Sequence, residues 1–445
     1  MSNRHRICSF RVRCRFSCQL VMPLAAKKKG ADMVTIRPFR ALRPVKEKAA
    51  ETAALPYDVY SREEARREVE AHPHSFLAID RPETQFSPDH DMYAPDVYEK
   101  ADQMIRDWTE QGIFTEDREP CYYLWELTLD GRSQTGLVCC SSVDDYLHGV
   151  VRKHENTRKD KEADRTRHVD VTSAQTGPIF LAYRTRQSIR QLLQRIKNYP
   201  PCLAFTSDDG VGHRIWRIED AGMCGDITAA FGELDCTYIA DGHHRAASAV
   251  SVSLKRREEH PDYTGEEEFN YFLSVLFPDD ELKIMDYNRV LKDLNGYTPE
   301  EILNRLGERF IVEPAAVSPY RPQKKGEFGL YLDGKWFCLK AREEFLKTDP
   351  IGALDVQYLQ SNALEPVWGI KDPKTDPRID FVGGIRGLGE LERRCGEDCQ
   401  AAFSMYPTSI SELFTVADAG LLMPPKSTWF EPKLRSGLFI HRIER

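Results

Sequence analysis

The chain has 445 residues, of which 41% are hydrophobic, 30% charged and 10% aromatic. This composition excludes collagen-like and disordered proteins, since the 27 Gly and 26 Pro are scattered without a repeat. No apolar stretch approaches the roughly 18 to 20 residues that a transmembrane helix needs, so we expect a cytoplasmic protein that does not contact a membrane.

Charge is distributed unevenly along the chain. Residues 1–32 hold eight Lys/Arg and one acid, whereas the remainder has 54 basic and 69 acidic residues and a net charge of −15. Such an acidic body disfavours nucleic acid as a partner. The basic leader lacks the apolar core of a secretory signal. We expect translation to start at Met33 and residues 1–32 to lie outside the fold, with a targeting segment as the alternative.

Capping and turn residues predict the helices. Ser61 and Glu64 form a capping box, and Gly112 is typical of the residue after a helix. Ile105 and Trp108 lie on the stripe that we expect to pack in the core. One predicted helix begins at residue 61, and the other four cover residues 96–111, 188–197, 246–255 and 299–308.

Runs of β-branched and aromatic residues predict the strands. Asp130-Gly131 and Asp333-Gly334 are typical of tight hairpins. The predicted strands cover residues 34–39, 121–129, 135–143, 202–206, 214–218, 237–240 and 270–277. Strands and helices without strict alternation predict an α+β fold with mixed sheets and flanking helices.

The most informative motif is Asp241-Gly242-His243-His244-Arg245, between a predicted strand and a predicted helix. A helix N-terminus favours phosphate, Gly242 permits a close backbone approach, and Arg245 can bind two phosphate oxygens. Asp241 is a candidate Mg²⁺ ligand, since this ion commonly accompanies nucleotide phosphates. The motif predicts an anion site, and the alternative is a solvated polar turn.

A second polar segment covers residues 152–168. Its alternating charges after Arg158 are typical of a solvated helix with ion pairs. His154-Glu155 lies at its start, where a loop can direct the carboxylate inward. A carboxylate beside a bound polyphosphate is suited to act as general base toward a substrate hydroxyl.

The C-terminal segment is rich in basic and turn residues. Lys426 and Lys433 either reach a bound phosphate or belong to a solvated loop. We expect Trp429 and Phe430 to anchor the segment on the core.

These motifs carry a resemblance to known proteins. A His-Glu pair followed by Asp-Gly-x-His-Arg resembles the two signature boxes of the ParB/sulfiredoxin-like superfamily, specifically its free-serine kinase branch. The chain from Met33 onward also resembles a bacterial family known as a domain of unknown function, some of whose members are assigned as serine kinases. Residues 37–39, 55–59, 240–245 and 423–428 carry this second resemblance.

The resemblance implies a kinase that transfers a phosphate from ATP or ADP, with Mg²⁺, to the hydroxyl of free L-serine and forms O-phosphoserine. It implies that Glu155 is the catalytic carboxylate base, and the adjacent His154 is our second catalytic candidate. It assigns Asp241, His244 and Arg245 to the nucleotide-phosphate box. The residue pattern adds Gly242, His243 and Lys426 as further phosphate-binding candidates. The implied core covers residues 146–285, flanked by α+β regions at 33–145 and 286–445.

Two features depart from the superfamily pattern. The two boxes lie 86 positions apart, so material is inserted between Glu155 and Asp241. His243 also replaces what is usually a small hydroxyl residue.

Three other functions remain open. The same site can hydrolyse a nucleotide or phosphomonoester with water in place of serine. The protein can instead be a nucleotide-binding switch, although no helix-turn-helix with a basic recognition helix is visible. A metal hydrolase using His154, His243, His244 and Asp241 ranks last, because adjacent histidines rarely converge on one ion.

Overall fold

The computed structural model describes residues 33–443. The predictions about the leader, residues 1–32, lie outside the described residues. The strands are β1 (Ile36–Arg37), β2 (Ala41–Pro44), β3 (Phe114–Glu116), β4 (Tyr122–Leu129), β5 (Arg132–Ser142), β6 (Val151–Arg152), β7 (Ala174–Gln175), β8 (Ile179–Tyr183), β9 (Leu203–Thr206), β10 (Gly212–Ile218), β11 (Thr237–Asp241), β12 (Tyr271–Pro278), β13 (Lys283–Met285), β14 (Tyr287–Leu291), β15 (Phe310–Pro314), β16 (Glu327–Leu332), β17 (Lys335–Ala341), β18 (Ile379–Gly383), β19 (Ala401–Met405), β20 (Trp429–Glu431) and β21 (Ile440–Arg442).

Helices of varied length alternate irregularly with these strands. They are α1 (Ala49–Thr52), α2 (Arg62–Ala71), α3 (Leu77–Asp80), α4 (Pro95–Glu110), α5 (Val143–Leu147), α6 (Lys159–Thr172), α7 (Gln187–Lys197), α8 (Ala221–Phe231), α9 (His243–Glu259), α10 (Pro299–Gly307), α11 (Asp355–Leu359), α12 (Gly389–Glu397) and α13 (Ile410–Asp418). The fold is α+β, as the sequence predicts.

Local signals set several of these elements. Ser61 caps α2 and exchanges hydrogen bonds with Glu64, which confirms the capping box. Asp130 and Gly131 both have positive φ and join β4 to β5, which confirms the hairpin. Helix α4 ends just before Gly112, whose φ is +71°.

A nine-stranded sheet forms the larger layer, in the order β6-β11-β8-β12-β5-β4-β10-β9, with β1 on β5. The boundary expected between residues 145 and 146 falls in helix α5, and strands from both sides of it share this sheet, because β5 pairs with β12 along residues 137–142. The material between Glu155 and Asp241 belongs to the same sheet, since it supplies β8, β9 and β10.

A six-stranded sheet, in the order β15-β17-β16-β19-β14-β18, begins at Tyr287. The C-terminal segment then returns to the first half of the chain. Strand β21 pairs with β2 and β7, and Phe430 packs its ring 5.4 Å from that of Phe180 in β8. Phe430 is only 2% exposed, so it anchors the segment on the core as predicted.

Helix α6 differs from the solvated helix predicted after Arg158. Asp164, Arg165 and His168 are buried on it. Arg165 bonds the Asp164 carboxylate and donates to the carbonyl of Asp80. The prediction of a helix here is confirmed, but the prediction that its charged face is exposed is wrong at these three residues. They are buried because they have hydrogen-bond partners inside the protein.

Two further observations concern the class of protein. Cys139 and Cys140 are buried in β5 as free thiols, and Cys395 and Cys399 are also free. Within residues 33–443, none of the helices combines the length and apolar character needed to cross a membrane.

Candidate active site

The Asp241–Arg245 motif lies where β11 meets α9. Gly242 has a φ of +90°, a conformation that costs glycine little, and it turns the chain from the strand into the helix. The first bond of α9 joins Ala246 N–H to the Gly242 carbonyl. The N–H groups of the preceding first turn have no acceptor within the helix, which makes this end of α9 suited to an anion.

Asp241 is bound on both carboxylate oxygens. Lys433 Nζ donates to Oδ2 at 2.7 Å, and the Gly242 N–H donates to Oδ1 at 2.7 Å. Burial opposes ionisation, but Lys433 and the nearby charge of Arg245 hold the pKa of Asp241 well below its usual value. Asp241 is therefore a fixed carboxylate, and its strongest partner comes from the C-terminal segment.

Strand pairing brings the His-Glu pair to this motif. Strand β6 runs parallel to β11, with Val151 opposite Thr237 and Arg152 opposite Tyr238. The residues after both strands therefore emerge at the same edge of the sheet. His154 and Glu155 thus lie beside the Asp241 turn, although 86 positions separate the two motifs.

His154 and His243 form a buried pair of imidazoles. Their ring centroids lie 4.6 Å apart at an interplanar angle of 89°. Burial lowers the pKa of His154 to about 4 and that of His243 well below its usual value. Both rings are therefore neutral at pH 7 and supply no positive charge; His243 lines the cavity of the site, whereas His154 lies behind it and does not.

Glu155 is half-buried at the wall of the site. Burial and the charge of Asp241 raise its pKa, whereas Lys426 opposes the increase. A carboxylate with a raised pKa is a stronger proton acceptor, and a neighbouring lysine favours its ionised form.

A backbone bond fixes the C-terminal segment against the His-Glu loop. The Met423 N–H donates to the His154 carbonyl at 2.7 Å. Three residues later, Lys426 has a φ of +57°, and its carbonyl accepts a bond from Arg289 Nη2 at 3.1 Å. This geometry places the Lys426 ammonium at the same cavity as Glu155, 5.6 Å from the ring centroid of Tyr287.

These groups surround a cavity of about 310 Å³. Of the residues predicted from the sequence, Glu155, Asp241, His243 and Lys426 line it. The other lining residues are Pro56, Asp58, Val59, Ala240, Tyr287, Asp380, Phe381, Val382, Gly383, Arg386, Glu390, Arg394, Thr428, Trp429, Phe430 and Lys433. The cavity therefore combines the carboxylate of Glu155, a helix N-terminus and two lysines.

His244 and Arg245 do not line this cavity. His244 is half-buried, and burial lowers its pKa. Arg245 donates to the Pro178 carbonyl at 3.0 Å, and its guanidinium lies 5.9 Å from the ring centroid of Tyr57. A direct role of either residue in phosphate binding stays a prediction.

Sequence reasoning assigned no role to Asp58, Asp380, Arg386 or Arg394. Asp58 belongs to the Leu-Pro-Tyr-Asp stretch that carried part of the family resemblance. The other three lie on or after β18, in a region without a local motif. Long-range packing alone brings them to the cavity.

The described residues do not form a ready-made metal site. No group of three or more His, Cys, Asp or Glu side chains in residues 33–443 is arranged to hold a metal ion. Asp241, the predicted Mg²⁺ ligand, is paired with Lys433. The protein side chains alone therefore do not fit a dedicated Mg²⁺ cage.

The family model described as "Protein of unknown function (DUF1015)" matches residues 36–357. This match confirms the resemblance to a domain of unknown function. No curated protein matches the chain. The site extends beyond the matched residues, because Lys426 and Lys433 lie after residue 357.

Solved structures similar to the chain include a free serine kinase variant in complex with ADP, at 16% identity and a TM-score of 0.33, over 66% of this chain and 87% of that one. A conserved hypothetical protein from Pyrococcus furiosus has 14% identity and a TM-score of 0.33, over 68% and 94%. C-terminally truncated SbnI from Staphylococcus aureus has 9% identity and a TM-score of 0.36, over 67% and 85%.

Proposed function

The chain belongs to the DUF1015 family, and we propose that it is a small-molecule kinase that transfers a phosphate from ATP or ADP to the hydroxyl of free L-serine. The observation that carries this proposal is the 310 Å³ cavity, in which the half-buried Glu155 faces the N-terminus of α9 and two lysines. The motif resemblance to the free-serine kinase branch supports the same reaction.

Phosphate recognition rests on fixed positive charge. The first-turn N–H groups of α9 and the helix dipole favour an anion. Lys433 and Lys426 add two ammonium groups. Partial loss of hydration opposes their ionisation, but Asp241 beside Lys433 and Tyr287 beside Lys426 raise the pKa values of both. Since phosphoryl transfer depends mainly on positioning and on neutralising charge, these groups supply most of what the reaction needs.

Glu155 is the proposed general base. The serine O–H bond breaks as its proton passes to the Glu155 carboxylate, and the serine oxygen forms a bond to the terminal phosphorus. The bond from that phosphorus to the bridging oxygen breaks, and the nucleotide leaves with the electron pair as ADP from ATP, or AMP from ADP. The raised pKa of Glu155 increases its strength as a base for this step.

The charges around the cavity suit an amino acid as the acceptor. A free amino acid carries both an ammonium and a carboxylate. Asp58 and Arg386 line the cavity with opposite charges, and the nearest carboxylate to Arg386 is that of Glu390 at 3.8 Å. Opposite charges at one cavity can bind the two charged groups of a small zwitterion, which supports serine over an uncharged alcohol.

Magnesium enters this proposal with the nucleotide. When bound to phosphate oxygens, Mg²⁺ neutralises charge that develops during transfer. Asp241 is the cavity carboxylate that would complete its ligands, and it would then share its oxygens between Lys433 and the ion.

The test is a product assay with the protein that starts at Met33. The protein is incubated with Mg²⁺, ATP or ADP, and each member of an amino-acid panel, and phosphorylated products are identified by mass spectrometry. We expect O-phosphoserine only in the serine reactions. Nucleotide turnover that is equal with and without amino acids would contradict a kinase and favour a hydrolase. Nucleotide binding without any turnover would favour a switch.

A further inference from the structure

A second cavity of about 600 Å³ adjoins the first. The two share four lining residues, namely Val59, Arg386, Trp429 and Lys433. The second cavity is about twice as large as the first. Ligand cavities usually measure about 300 to 1,000 Å³, so the first alone is small for a nucleotide together with an acceptor.

Trp429 forms a fixed wall between the two cavities. A Cβ added to Gly383 would lie 2.7 Å from its ring, so backbone covers one part of the indole. Lys433 Nζ lies 4.6 Å from the ring centroid, and the indole N–H donates to Glu431 at 2.7 Å. Trp429 therefore holds Lys433, the partner of Asp241, at the place where the two cavities meet.

The second cavity has a different chemistry from the first. Its walls include the apolar residues Leu55, Leu129, Val211 and Ile385. In both cavities the carboxylates outnumber the lysines and arginines by one, and those of the second cavity are Glu64, Glu68, Asp209 and Glu431. The surface that the second cavity presents to a ligand is nevertheless mainly apolar, whereas that of the first is mainly polar. The second cavity therefore suits a ring system with hydroxyls and ring nitrogens better than a phosphate.

The direction of phosphoryl transfer relates the two cavities. The attacking and leaving oxygens lie roughly in line, on opposite sides of the transferred phosphorus. Glu155 and Lys426 line only the first cavity, whereas Lys433 lines both. With the acceptor at Glu155, the leaving nucleotide points toward Lys433 and the second cavity.

A third cavity, which is partly lined by α9, is too small to hold the nucleoside instead. It lies beside Arg245, Arg165 and Tyr57 and measures about 30 Å³. This volume holds a water molecule and excludes a purine or a ribose.

We propose that the second cavity is the subsite for the nucleoside of the phosphate donor, with the phosphates reaching the first cavity past Lys433 and Trp429. This inference rests on the proposed function for the direction of transfer. It adds the part of the chain that recognises the nucleoside, including residues on α2 and the loop after β18.

The test fills the second cavity and measures binding without any acceptor. Ile385 is 48% exposed at the mouth of the cavity, so Ile385→Trp is expected to fold. Val317→Trp is the matched control, because Val317 is 63% exposed and lines neither cavity. Calorimetry compares ADP with inorganic tripolyphosphate, which carries phosphate but no nucleoside, and thermal melting checks the folding of both variants.

We expect Ile385→Trp to weaken ADP binding by about tenfold or more and to leave tripolyphosphate binding within about twofold of the wild type. Val317→Trp is expected to bind both ligands normally. Unchanged ADP affinity in a folded Ile385→Trp protein would overturn the subsite, as would an equal loss for both ligands. ADP binding that responds as expected, without phosphoserine formation, would refute the kinase proposal and leave the nucleoside subsite standing.

Discussion

The ion pair between Lys433 and Asp241 couples the stability of the fold to the proposed phosphate site. Lys433 Nζ lies 2.7 Å from Asp241 Oδ2, and the two side chains are 12% and 37% exposed. Lys433→Met keeps most of the side-chain volume, removes the charge and leaves the carboxylate without its lysine. A hydrogen bond between charged groups contributes about 1.5 to 3 kcal/mol. Because Asp241 is partly exposed, we expect a loss of about 1 to 2 kcal/mol in unfolding free energy.

The pH dependence of this loss has a definite sign. Lys433 lowers the pKa of Asp241 in the folded protein. A depressed carboxyl pKa contributes stability that is fully present above the unfolded value of about 4 and is lost as the pH falls through the folded value. The difference in stability between wild type and Lys433→Met should therefore be largest at neutral pH and should shrink below about pH 4.

The assay combines urea unfolding with nucleotide titration, and Lys426→Met is the matched control. Lys426 is exposed at the same cavity, so its loss should change the unfolding free energy by less than about 0.5 kcal/mol. Both variants should bind ADP at least about tenfold more weakly, since each removes a charged donor. Equal stability of Lys433→Met and wild type at neutral pH would refute the reasoning about the ion pair.

Three further predictions test other parts of the account. Removal of residues 1–32 should leave the melting temperature and the activity unchanged, and a large fall in melting temperature would show that the leader belongs to the fold. Burial lowers the pKa of His154 to about 4; since an unfolded histidine binds its proton near pH 6.5, wild-type stability should fall as the pH drops from about 6.5 to about 4. This residue accounts for roughly 3 kcal/mol of that fall. The unfolding free energy of His154→Phe, which cannot titrate, should depend less steeply on pH in urea unfolding, and an equal dependence would contradict a buried neutral imidazole. Gly242→Ala places a side chain at a φ of +90° and should destabilise the protein by about 1 to 3 kcal/mol and weaken ADP binding, whereas unchanged unfolding and ADP titration curves would show that the turn tolerates a Cβ.

Features encoded by neighbouring residues were predictable from the sequence. The α2 capping box depends on Ser61 and Glu64, which are three positions apart. The β4–β5 hairpin depends on Asp130 and Gly131, which adopt the positive φ values that such turns require. The strand-to-helix turn at Gly242 has the same local character, although α9 begins at His243, three residues before the predicted start.

The assembly of the cavity was not predictable, because it depends on contacts between distant segments. The parallel pairing of β6 with β11 brings Glu155 to Asp241. The bond from Met423 to the carbonyl of His154 then places Lys426 opposite Glu155. Neither contact has a local signature, so the sequence indicated the separate motifs and the basic C-terminal segment without indicating their order around the site.

Burial of charged residues was the other feature that periodicity missed. Helix α6 reads as polar on every face, yet Asp164 and Arg165 are buried where they pair with each other. Arg165 also lies 4.3 Å from the ring centroid of Tyr57, the residue before Asp58. Sequence patterns report polarity, and only the packed structure shows which polar groups have buried partners.

The most direct test of the central claim is steady-state phosphoserine formation by wild type and Glu155→Gln, with ADP titration of both proteins. The glutamine keeps the shape of the side chain and cannot take the serine proton. We expect turnover to fall by about 10² to 10⁴ with little change in ADP affinity, whereas Glu70→Gln, at an exposed position on α2, should behave as wild type. Near-normal turnover by Glu155→Gln would contradict the assignment of Glu155 as the base, and with it the kinase chemistry proposed for this cavity.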